Sequence, residues 1–386
     1  MDFIEKACYN DESYTKSEND MRQISTTNPL NRYQLNYASF SYFRNAIYGF
    51  AALWIVVFHG VLLGNIRDEF DPAIRLIRDS IDMGNIGVDV FVFLSGICLY
   101  FSYSKKPKLG SFYYKRFVRV YIPYLIMVLP YIIYFYVTGE IDLWLTIKTI
   151  LTINTWTGEI DPIDFWYVSA ILVFYLLYPL IYRFIFREKK SDKMPQKKAE
   201  FWRMMLLVAI SFIVSVTIYY ALPDVYSVIS RMLSRFTVFI IGTYVGKPVK
   251  EGKPFHEGFL IASVVILAGT YPLYECDILP GVWSRYYGSL TGIALVFLLS
   301  QFFILASEWK IDHFFAFFGP FSFEIYVLSI IARRIYYFTP WYTDGYAFLH
   351  YMIVMVFTIF IAWTVSKIEQ LIFKLLLKPR KEKRNR

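Results

Sequence analysis

About ten stretches of roughly 20 mostly apolar residues, the length an α-helix needs to cross a bilayer's hydrocarbon, occupy this chain between residues 45 and 368. They leave little choice of fold. In lipid every backbone N–H and C=O must find its partner within the protein, so such segments become helices. The expected class is all-α: a polytopic integral membrane protein of about ten spans, at 45–64, 87–103, 120–137, 165–186, 202–221, 228–245, 259–274, 286–306, 313–335 and 347–368.

Charge settles how the spans would be threaded. Only 18% of residues are charged, and the formal charge is +9. The cations flank the apolar segments in short loops, which favours topology setting over nucleic-acid binding. Lys105, Lys106, Lys108, Lys115, Arg116 and Arg119 mark a cytoplasmic end, as do the basic loops 187–198 and 247–253 and the tail 378–384. The apolar piece 143–153 is too short to cross and is bracketed by Glu140, Asp142, Glu159, Asp161 and Asp164. It is expected to be interfacial or re-entrant on the outer side, because counting it as a span would put loop 187–198 outside. Both termini are then cytoplasmic. The division expected is a polar tail at 1–39, one membrane domain at 40–376 and a basic tail at 377–386, in a multi-pass protein of the cytoplasmic membrane. Cys8, Cys98 and Cys276 are too scattered to suggest a disulfide framework or a metal site.

An ionisable side chain inside a membrane is a functional candidate by default. His59 ends the apolar run 51–58, where a neutral imidazole can serve as a general base or hydrogen-bond between helices. Asp89 begins the next apolar segment. It is explained either by the free N–H groups of a helix start or as an acid that orients His59 from the neighbouring helix. Arg116 and Arg119, three residues apart, share roughly one helix face, and paired guanidinium forks suit the phosphates of a cofactor such as coenzyme A. Lipid headgroups and topology account for such a pair equally well. Arg231 with Arg235, Glu324, and Arg333 with Arg334 are further charges at or in spans, able to line a polar path or to snorkel. No histidine has the spacing of a metal site.

Taken in order, these residues resemble the membrane acyltransferase-3 family, bacterial integral-membrane enzymes that transfer acyl groups to cell-surface sugars and lipids. The resemblance is carried by Gly87-Val88-Asp89-Val90-Phe91-Val92-Phe93-Leu94-Ser95-Gly96, by the histidine ending the first span, and by the Arg116-x-x-Arg119 pair. It continues in Trp166, with Tyr175 and Pro179 downstream, and in the late segment Ser322-Phe323-Glu324-Ile325-Tyr326. It implies that His59 is the catalytic base and that Arg116 and Arg119 hold acyl-coenzyme A, acetyl-CoA or another acyl-CoA, at the cytoplasmic face. The acceptor it implies is a hydroxyl of a surface polysaccharide or lipid-linked sugar. Asp89 stands beside His59 in the expected catalytic set, and Arg44, Tyr48, Ser95, Trp166, Glu324 and Tyr326 complete the candidates, with no metal. Two positions depart from the family pattern. Tyr48 stands eleven residues before His59, where many members have arginine, and Ser329 stands where the late segment often has histidine. The alternatives are a membrane transporter of a glycan or small solute, and a catalytically silent partner in polysaccharide assembly.

Overall fold

A computed structural model describes residues 35–61, 78–159, 165–188, 195–276, 278–337, 339–340 and 347–377. The tail up to 34, the basic tail from 378 and the acidic residues Asp161 and Asp164 lie outside them. The described residues are helical and contain no strand. Their isolated antiparallel bridge, Asn36 with Pro254, ties the start of the described chain to the turn after residue 250. Tyr37 N–H donates to the Lys253 carbonyl and Phe255 N–H to that of Leu35, both at 3.0 Å, so residues read as the end of a polar tail are docked on the bundle.

The helices are α1 (Ala38–Tyr42), α2 (Arg44–Val61), α3 (Gly87–Tyr103), α4 (Leu109–Val137), α5 (Leu143–Ile150), α6 (Trp166–Phe186) and α7 (Gln196–Ala221). They continue with α8 (Pro223–Lys250), α9 (Gly258–Glu275), α10 (Val282–Ala306), α11 (Ile311–Phe318), α12 (Ser322–Tyr337) and α13 (Ala347–Leu376). Among the described residues eight helical segments are long and apolar enough to cross a membrane. The other two expected spans correspond to α2, of 18 residues, and to the shorter apolar helix α9.

Several boundaries move in ways that matter for the site. The helical run that holds Asp89 begins earlier than expected: a 3-10 turn at Met83–Ile86 leads directly into α3, and Arg78–Tyr103 is one helical run of 26 residues. Asp89 keeps its expected place in the first turn of α3, and the 3-10 turn continues the helical run ahead of it. Helix α4 starts at Leu109 and carries Arg116 and Arg119 within it, where the sequence suggests a start near residue 120. Helix α13 runs eight residues past the expected end and buries Glu369.

Packing without a hydrophobic driving force relies on small residues that let backbones approach. Helices α3 and α8 run parallel and meet through such residues. A Cβ on Gly242 would stand 2.3 Å from the Phe93 carbonyl oxygen, and one on Gly96 would stand 2.7 Å from that of Phe239. Gly246, one turn beyond Gly242, lies against Tyr100. On the other side of α3, Gly292 of α10 leaves room for Asp89.

The short segment after α4 folds back into the bundle. Helix α5 has only eight residues, about 12 Å at 1.5 Å per residue. Tyr121 donates to the Ile150 carbonyl at 2.9 Å and Tyr124 to that of Thr149 at 2.7 Å. Tyr124 sits about 20 Å back along α4 from Val137, so the segment descends beside α4 before α6 begins. Ser169 of α6 donates to the Thr152 carbonyl at 2.8 Å and closes the return.

Candidate active site

A cavity of about 200 Å³ opens between α2, α3, α4, α6, α12 and the turn joining α11 to α12. Seven of the ten candidate residues line it: Arg44, Tyr48, Ser95, Arg116, Arg119, Glu324 and Tyr326. They come from four helices spread over most of the sequence. The bundle thus gathers three guanidinium groups, one carboxyl and three hydroxyls around one space.

Each is held by its neighbours. Arg116 is buried, donates to Ser102 Oγ on α3 at 2.8 Å and lies 5.6 Å from the centre of the Phe112 ring. Its Nε is buried without a hydrogen-bond partner, which leaves a donor for a ligand. Arg119, one turn on, is half-buried. Arg44, at the start of α2, donates through Nε and Nη2 to Asn45 Oδ1 at 3.4 and 3.3 Å. Tyr48 stacks on Phe91 with ring centres 5.4 Å apart, and Tyr167 packs edge-on against Tyr326 at 5.2 Å. These four rings line the cavity.

Glu324 lines the cavity and is buried, and Glu369 on α13, close enough to act on it, is buried as well. Sequence reading misses Glu369. The available signal is an acid one residue past an apolar run, and a span ended at Ile368 leaves it outside.

Three candidates lie elsewhere. His59 is buried near the far end of α2, about 16 Å along the helix from Tyr48, and its Nδ1 has no hydrogen-bond partner. Residues Ala51, Ala52, Ile55 and Val56 fill the stretch between them. Asp89 does not pair with His59. Its carboxylate is 3.0 Å from Arg235 of α8 and accepts from Ser289 of α10 at 3.0 Å. Trp166 belongs to this second cluster: the Arg235 guanidinium stands 4.8 Å and that of Arg231 5.4 Å from the centre of its ring. A carboxylate taken by a buried arginine and a hydroxyl is stabilised in place, which accounts for Asp89 without contact to the histidine.

The two positions that depart from the resemblance also have definite places. Tyr48 lines the cavity. Ser329 is fully buried and donates to the Tyr326 carbonyl at 2.9 Å, so its side chain is spent on its own helix.

The sequence matches a family model described as an acyltransferase domain, Acyl_transf_3, over residues 45–367, most of the chain. No curated protein and no solved structure matches it.

Proposed function

The chain belongs to the acyltransferase-3 family, and from that premise we propose that it is an O-acyltransferase of the cytoplasmic membrane. It would move an acyl group, acetyl in the simplest case, from acyl-coenzyme A to a hydroxyl of a cell-surface polysaccharide or its lipid-linked precursor. In this reading the chain crosses the membrane ten times with both termini cytoplasmic.

The observation that carries the proposal is the cavity that joins Arg44, Arg116 and Arg119, with one buried donor of Arg116 unused. Guanidinium forks suit phosphate oxygens, and a cavity of this size takes part of such a donor. With phosphates at Arg116 and Arg119 the thioester arm lies in the cavity beside Tyr48, and the proposed base stands about 16 Å further along α2, so the two must be brought together for transfer. The base takes the acceptor hydroxyl's proton, the oxygen attacks the thioester carbonyl, and the tetrahedral intermediate collapses with release of the thiol, which takes up a proton. His59, buried and with a free ring nitrogen, is the proposed base.

The test has two arms. Purified protein in nanodiscs should be stabilised by acetyl-CoA as RT ln(1 + [L]/Kd), and the Arg116→Gln, Arg119→Gln double variant should lose that gain. No stabilisation of the wild type at saturating donor sinks the donor assignment. In cells, surface-glycan O-acetyl content should fall to background with His59→Ala at equal expression; unchanged acylation removes His59 as base.

A further inference from the structure

A second, smaller cavity of about 80 Å³ lies where the 3-10 turn Met83–Ile86 meets α9 and α10. Asn85, Thr270, Ser284, Arg285 and Gly288 line it. Two of its polar groups are satisfied: Thr270 donates to the Ile266 carbonyl at 2.8 Å, and Ser284 to that of Gly281 at 2.8 Å. The side chains of Asn85 and Arg285 make no hydrogen bond or ion pair with the described residues. Gly288 holds the space open, since a Cβ there would meet nothing within 4 Å.

The charge on Arg285 is answered only in part from within the bundle. Asp89, close enough to act on it, is already held by Arg235 and Ser289, and Arg235 and Arg231 add further positive charge nearby. Arg285 is half-buried at the cavity, with its guanidinium reachable by an anion that enters there. Donors arriving from two separate helices, a guanidinium fork from α10 and an amide from the 3-10 turn, match the spread oxygens of a tetrahedral phosphoryl group better than a flat carboxylate. A 3-10 turn interrupting a long helix is a frequent mark of a functional position, and here it places Asn85.

The cavity is also remote from the donor arginines. Ser102, the partner of Arg116, stands about 25 Å beyond Asn85 along the same helical run. We propose that Arg285 and Asn85 form a phosphate-binding subsite at the opposite end of the bundle from Arg116 and Arg119, and that it holds the phosphate group of the acceptor. The phosphate chemistry stands on the cavity alone; its assignment to the acceptor rests on the acyltransferase reading above.

The test uses the full chain in nanodiscs of neutral phosphatidylcholine, with inorganic pyrophosphate and a short-chain prenyl diphosphate as probes and thermal unfolding as readout. Both probes should stabilise the wild type and the Arg116→Gln, Arg119→Gln variant. Arg285→Gln should weaken both at least about tenfold, the loss expected for one charge-assisted fork. Arg285→Lys should keep part of the effect. Gly288→Leu, which fills the cavity and leaves every charge in place, should abolish it and gives the same reading if Arg285→Gln does not fold. Equal stabilisation of wild type and Gly288→Leu, or a loss confined to the Arg116 and Arg119 variant, overturns the subsite. If phosphatidylglycerol in the nanodisc removes any further effect of the prenyl diphosphate, the occupant is a lipid headgroup and the acceptor assignment falls. Acetyl-CoA should still stabilise Arg285→Gln. If acetyl-CoA binds nowhere while pyrophosphate still requires Arg285, the donor reading fails and the subsite stands.

Discussion

Arg235 of α8 holds Asp89 of α3 at 3.0 Å, with both side chains buried, near the middle of a 26-residue helical run. The pair sits about one turn from where Phe93 meets Gly242, so charge and close packing join the same two helices. Removing one member leaves the other charge unanswered in a low-dielectric interior. Asp89→Asn or Arg235→Gln should each cost about 3–5 kcal/mol, and the double variant should recover a large part of it. Thermal unfolding in detergent checks this, and additive losses in the double variant would show that the two side chains do not act as a pair.

The glycine contact between α3 and α8 makes a separate prediction. Gly242→Ala places a methyl 2.3 Å from a backbone oxygen that cannot rotate away. The helices must separate, at a cost of about 1–3 kcal/mol. A Cβ on Gly269 of α9 would meet nothing within 4 Å, and Gly269→Ala should be neutral or stabilising by up to about 1 kcal/mol through helix propensity. Equal effects at the two sites would remove close approach as the cause.

Much of this architecture is legible in the chain because the bilayer imposes a length on every span, and apolar runs of that length cannot hide. The run 143–153 is recognisably too short to cross, and α5 is indeed an eight-residue helix folded against α4. Helix ends are less legible. Residues 78–86 and 109–114 read as loop, yet helical structure continues through them, so a 3-10 turn precedes the first turn of α3 that holds Asp89. Partner choice is not legible at all. Arg235 lies 146 positions from Asp89 in sequence, and only the parallel packing of α3 on α8 brings them together. The gathering of Arg44, Arg116, Arg119 and Glu324 is suggested by the family motifs and not by spacing, because several helices contribute.

Ser102 offers a mild test of the donor site. It accepts from Arg116 at 2.8 Å and fixes the guanidinium relative to the cavity, without lining the cavity itself. Ser102→Ala should leave the fold intact and weaken acetyl-CoA binding roughly three- to tenfold, the size of one ordinary hydrogen bond, because the contact positions the guanidinium without touching the ligand. Titration of the unfolding temperature against acetyl-CoA measures this. A variant that binds as tightly as wild type would mean that Arg116 is placed by other contacts.

Tyr124 holds the short segment that folds back after α4. Its hydroxyl is buried and donates to the Thr149 carbonyl at 2.7 Å, and its ring packs edge-on against Phe165 at 5.4 Å, just before α6. Tyr124→Phe keeps the ring and removes the donor, leaving a carbonyl without its partner, at a cost of about 1–3 kcal/mol. The loss should be local, since Tyr121 still donates to the Ile150 carbonyl. A cysteine placed at Thr149, now buried, should therefore react faster with a water-soluble maleimide in the Tyr124→Phe background, while the unfolding temperature falls only slightly. If labelling does not change, the turn after α5 is held by the ring packing and the Tyr121 and Ser169 bonds, and the buried hydroxyl of Tyr124 has no part in keeping the segment folded back.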